Sequence, residues 1–83
     1  MNMREEFQGW YNKETFSLVT TLTNDERLYA LTLKALLPYG LPVNRQAFRD
    51  NIKLLAQVEG LEFDLYKVKW TEAHAHFLSQ IGR

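Results

Sequence analysis

The chain has no cysteine among its 83 residues, and only two prolines and four glycines. Without thiols there is no disulfide framework and no thiolate metal site. A fold this small must then be held by packing or by a partner subunit, and a reducing, cytoplasmic setting fits best. Net charge is missing too: ten basic and ten acidic residues cancel, which removes any general attraction to phosphate backbones or anionic membranes. Nucleic acid is therefore not expected as a general partner. No apolar run approaches the roughly 18–20 residues of a membrane span, so no membrane partner is expected. The start, with Glu5 and Glu6 close behind Arg4, lacks a signal-peptide pattern. Ser17 and Ser79 sit in no nucleophile elbow, and no glycine-rich loop could cradle a phosphate. These absences together lead to the expectation of a non-enzymatic chain with no cofactor and no metal.

What is present is a hydrophobic share of 46% and an aromatic share of 13%, enough to supply a core and to argue against a disordered polypeptide. The length fits one domain that buries about 60–65% of its unfolded surface. Residues 1–8 are polar and aperiodic and read as a mobile lead-in, leaving 9–83 as a single helical domain. Asn12 can cap a first helix over about 13–22, with Glu14 in the turn where the helix dipole favours a carboxylate. Residues 16–23 are ambiguous. The alternation Phe16, Leu18, Thr20, Leu22 suits a strand, and the face Phe16, Val19, Leu22 suits a helix.

Thr23-Asn24-Asp25-Glu26 has capping-box spacing, so a second helix is predicted to start there with Thr23 bonding the Glu26 N–H. Its apolar positions cover a wide arc, as expected of a central helix buried against more than one neighbour. It ends at Pro38-Tyr39-Gly40. Asn44 caps a third helix with Phe48, Ile52 and Leu55 at helical spacing, and Gly60 stops it. Over 61–68 the period changes to two, with Leu61, Phe63 and Leu65 alternating with Glu62, Asp64 and Tyr66, an extended segment with one buried face and no obvious pairing partner. A fourth helix closes the domain with Trp70, Ala73, His74, Phe77, Leu78 and Ile81 on one stripe and Glu72, His76 and Gln80 facing out. The predicted fold class is all-α, a small bundle of about four short helices with that extended segment before the last.

Trp10, Asn12, Glu14, Thr15 and Phe16, then Leu22, Asn24, Asp25, Leu28 and Tyr29, resemble a family of small uncharacterised phage, plasmid and cyanobacterial proteins with a W-x-N-x-E-T-W hallmark followed by L-x-N-D-x-x-L-Y. Phe16 stands where those proteins usually carry a second tryptophan. Val68-Lys69-Trp70-Thr71-Glu72 is similar to that family's final helix start, with Lys69 in place of an acidic cap. The resemblance covers about 20 residues well and the tail weakly. It implies a helical fold, which favours helix over strand at 16–23, and a mobile-element or cyanobacterial setting; it carries no mechanism.

Asn12, Glu14 and Thr15 could form a polar recognition cluster beside Trp10, but capping accounts for all three. Asn24, Asp25 and Glu26 lack the alternation, glycine and closing glutamate of a calcium loop. His74 and His76, two apart, point to different sides of a helix and cannot share a metal as an i, i+4 pair could. His74 is expected to be half-buried with one nitrogen satisfied, and His76 to pair with Glu72. Trp10, Tyr11, Tyr29, Tyr39, Tyr66 and Trp70 are more large aromatics than a small core readily buries. A protein partner or a second copy is therefore expected at Trp10, Tyr11, Tyr29 and Trp70. The alternative is a weak nucleic-acid-binding regulator using Arg45, Arg49 and Lys53, spaced four apart on a face opposite Phe48, Ile52 and Leu55.

Overall fold

The computed structural model describes residues 9–81; the lead-in expected at 1–8 lies outside them. Four helices follow one another, α1 (Lys13–Asn24), α2 (Glu26–Leu36), α3 (Arg45–Glu59) and α4 (Trp70–Ile81), and no strand forms among the described residues. α2 and α4 each pack against the other three helices, whereas α1 and α3 lie apart on opposite sides of that pair. The core between them holds Leu18 and Leu22 of α1, Leu36 of α2, Phe48 and Ile52 of α3, and Ala73 and Phe77 of α4, all essentially without solvent contact.

The helix reading of 16–23 prevails because the buried set in α1 is Thr15, Leu18, Val19 and Leu22, a period of three to four rather than two. Phe16 and Thr20, half of the alternating set, are only partly covered. The Thr23 hydroxyl donates back to the carbonyls of Val19 (2.8 Å) and Thr20 (3.2 Å), so its polar group is met inside the helix. That bond overturns the predicted capping box. Thr23 belongs to the last turn of α1, which runs on to Asn24, and Asp25 is the cap of α2, accepting from the Leu28 N–H at 3.0 Å. Only one residue separates the two helices, so the chain turns sharply at Asp25.

Asn44 caps α3 as expected, accepting from the Ala47 N–H at 2.8 Å. Gly60, at φ +71°, ends it in the left-handed conformation that favours glycine, and the Leu61 N–H closes the turn onto the Ala56 carbonyl at 2.9 Å. Beyond it, residues 61–66 keep the alternating burial read from the sequence, with Leu61, Phe63 and Leu65 turned inward and Glu62, Asp64 and Tyr66 outward. The extended segment expected to reach 68 stops short, because the backbone turns at 65–67, where the Lys67 N–H donates to the Asp64 carbonyl at 3.0 Å. Side chains bond the backbone from there to Lys69. The Trp70 indole N–H donates to the Leu65 carbonyl (3.1 Å), Asn12 Nδ2 donates to the Lys67 carbonyl (2.8 Å), and the Lys69 N–H donates to Thr15 Oγ1 (2.8 Å).

Candidate functional site

The polar residues of the Trp10–Phe16 run form a buried joint. Asn12 is 7% exposed and Thr15 not at all. Asn12 Oδ1 accepts from the Thr15 N–H at 2.9 Å and from the Thr15 hydroxyl at 2.6 Å, while its Nδ2 reaches across to Lys67. Thr15 Oγ1 in turn receives the Lys69 N–H. One helix cap therefore fastens the start of α1 to the lead into α4, and its hydrogen-bonding capacity is used internally. The sequence reveals the capping half of this arrangement. The tertiary half was signalled only by a threonine, Thr15, falling on the buried face.

Around that joint, the Tyr11 N–H donates to Glu72 Oε1 at 2.9 Å, and Lys69 Nζ stands 4.7 Å from the centre of the Tyr11 ring. Glu72 thus serves Tyr11 rather than His76, contrary to the i, i+4 pairing expected. His76 instead meets Trp10 edge-on at 5.1 Å and Phe77 at 5.2 Å, and burial lowers its pKa from the ordinary value. His74 matches the reading of one satisfied nitrogen: Nε2 lies 3.0 Å from the Val43 carbonyl and so carries the proton.

The four rings singled out for partner binding do not make one open patch. Trp10 packs on His76. Tyr29 tilts against Phe77 at 6.4 Å, with its hydroxyl 3.5 Å from Gln80 Oε1, and Trp70 meets Phe48 edge-on at 6.2 Å. Of the four only Tyr11 is largely exposed, whereas Tyr39 and Tyr66 stand almost wholly in solvent.

Among the solvent-facing grooves that α3 lines, two differ sharply in character. The first, between α2 and α3, is about 380 Å³ and apolar, lined by Leu31, Ala35 and Pro38 on one wall and Leu54, Leu55 and Val58 on the other, with Lys34 and Glu59 at its edges. Asn51 Nδ2 donates to the Ala35 carbonyl at 2.9 Å and ties its walls together. At the far end Arg27 grips Glu59 bidentately, Nη2 to Oε2 at 2.8 Å, which holds the Arg27 pKa up.

The second groove, about 510 Å³, is bounded by Arg49 and Lys53 of α3 and by Phe63, Asp64, Leu65, Tyr66 and Trp70. It continues into a polar depression along Arg45, Gln46, Arg49, Trp70 and Thr71. This corrects the placement of the cationic stripe. At about 100° per residue, Arg45, Arg49 and Lys53 run beside Phe48 and Ile52 rather than opposite them. They therefore form a wall facing the 63–70 segment.

Among the described residues no three of His, Asp and Glu gather closely enough to hold a metal ion, and no helix is long and apolar enough to cross a membrane. The fold and surface define a small all-α bundle whose third helix divides an apolar groove from a cationic, aromatic one. No protein-family model, curated protein or solved structure matches the chain.

Proposed function

We propose that this protein acts without covalent chemistry, as an interaction protein, and that it self-associates through the apolar α2–α3 groove. The observation that carries the reading is the exposure of Leu54 (60%) and Val58 (78%) on one edge of that groove. Isolated apolar residues at a surface are ordinary, but two from successive turns of one helix beside Leu31, Ala35 and Pro38 make a continuous face. A second copy fits it for two reasons. The chain's basic and acidic residues balance, so copies do not repel. Lys34 and Glu59 also stand on opposite walls, so a two-fold axis can bring each Lys34 alongside the Arg27–Glu59 pair of the other copy, where it shares the carboxylate.

Under that symmetry Leu54 and Val58 each count twice. Four partly exposed side chains contribute roughly 1–2 kcal/mol apiece, a sum that only matches the ~4–15 kcal/mol cost of association. The dimer is therefore weak and concentration-dependent. A non-catalytic role is supported by the histidines: the His74 ring is engaged by a backbone carbonyl and the His76 ring by aromatic rings, with no carboxylate or hydroxyl side chain bonded to either imidazole among the described residues. Sedimentation equilibrium up to about 1 mM tests the proposal. Mass should rise with concentration, and the Leu54→Lys, Val58→Lys double variant should stay monomeric with an unchanged circular dichroism spectrum. A wild-type chain that remains monomeric throughout removes the reading.

A further inference from the structure

The second groove carries a different chemistry. We infer that it binds single-stranded nucleic acid, with a base stacked against Tyr66 and Trp70 and the adjoining phosphates met by Arg45, Arg49 and Lys53. Three observations converge. The cations repeat every four residues, so they stand about 6 Å apart along the helix axis, a step comparable to that between successive phosphates of an extended strand. The opposite wall is aromatic. Tyr66 is 94% exposed with no ring neighbour among the described residues, and Trp70 is held in place by its N–H bond to Leu65 and its contact with Phe48. The space between, about 510 Å³, lies within the roughly 300–1,000 Å³ range of small-ligand sites and can admit one nucleoside.

The charge balance of the groove agrees. The one carboxylate lining it, Asp64, already faces Lys67 Nζ at 4.0 Å, and Asp50 next to the stripe faces Arg49 Nη2 at 3.4 Å, which leaves Arg45 and Lys53 without a counter-charge in those pairs. The Arg49 side chain is 43% exposed and its Nη2 is only loosely held by Asp50, so a phosphate oxygen can reach the guanidinium from the groove. A duplex is disfavoured because the cations face across a cleft toward residues 63–70 rather than projecting from an open helix. An acidic peptide could meet the same cations, but it has no use for the ring faces on the other wall. Stacking tolerates any base, so the site should discriminate strandedness rather than sequence.

Fluorescence anisotropy with labelled oligo-dT, the matching duplex and polyglutamate, at about 50 and 200 mM salt, tests this. Three phosphate contacts give a slope of about −0.7 each on a single strand, so the four-fold rise in salt should weaken oligo-dT binding roughly 18-fold. Tyr66→Ala, at a position whose exposure leaves folding untouched, should weaken it about 5- to 100-fold. Arg49→Gln should flatten the salt dependence by about 0.7 in the slope. In a Trp10→Phe background, oligo-dT should also quench the remaining indole, Trp70. The inference is overturned by no binding at the lower salt, by equal affinity for duplex or polyglutamate, or by salt-sensitive binding that Tyr66→Ala leaves unchanged.

Discussion

Replacing Asn12 by alanine tests how the two ends of the bundle are joined. Three interactions disappear together: the cap on the Thr15 N–H, the acceptor for the Thr15 hydroxyl and the donor to the Lys67 carbonyl. Losing an N-cap costs about 1 kcal/mol. Leaving the Thr15 hydroxyl without its acceptor and the Lys67 carbonyl without its donor adds roughly 1–3 kcal/mol, so Asn12→Ala should destabilise by about 2–4 kcal/mol. That is a large share of the ~4–12 kcal/mol available to a chain of this length. Asn44→Ala is the control, because Asn44 is exposed and its side chain makes only the cap bond to Ala47 among the described residues; it should cost no more than about 1 kcal/mol. Urea unfolding followed by far-UV circular dichroism measures both. Thr15→Val, combined with Asn12→Ala, should destabilise by clearly less than the sum of the two single changes, since the residues share one network. Equal losses for Asn12→Ala and Asn44→Ala, or strict additivity with Thr15→Val, would refute the account of a joint.

Phe48→Ala should remove about 3–5 kcal/mol, because this fully buried ring touches Trp70, His74 and Phe77 at once; thermal unfolding should shift down by more than about 12 °C. Gly60→Ala meets no atom, so its cost is that of a left-handed alanine alone, about 1–2 kcal/mol, read from the same melt. For His76, burial places the folded pKa below that of the unfolded chain. Its contribution is then fully present above about pH 6.5 and is lost as pH falls through the folded value, where the unfolded state takes up the proton first. Wild type should therefore lose more stability on acidification from neutral pH than His76→Gln, measured as urea midpoints against pH; parallel profiles would contradict this.

The helical class, the starts of α1 and α3 and the end of α3 were legible because Asn12, Asn44 and the stop at Gly60 act locally: each cap or turn involves residues within a few positions. Thr23 misled because its hydroxyl has two local options, the next helix's N–H or its own helix's carbonyls, and spacing alone does not choose between them. The alternation at 61–66 was real, but period two reports one-sided burial rather than a sheet: the backbone turns at 65–67, and side chains from residues 12, 15 and 70 bond the backbone of Lys67, Lys69 and Leu65. Sites were less legible. Which aromatics remain free depends on tertiary neighbours, so Trp10, Tyr29 and Trp70 became packing residues, while Tyr66, Leu54 and Val58 emerged as the exposed ones. The cationic stripe could be read from spacing, but the ring-bearing wall opposite it could not.

The joint at Asn12 and Thr15 also sets the order in which the chain can assemble. Its cross-links span 55 and 54 residues, whereas the α1–α2 and α2–α3 pairs are sequence neighbours. Closing so long a loop costs chain entropy that near-neighbour pairing does not. The joint is thus expected to fasten after the folding barrier has been crossed. Substitutions there should leave the refolding rate almost unchanged and accelerate unfolding, so that these two residues act as a latch on the lifetime of the folded chain.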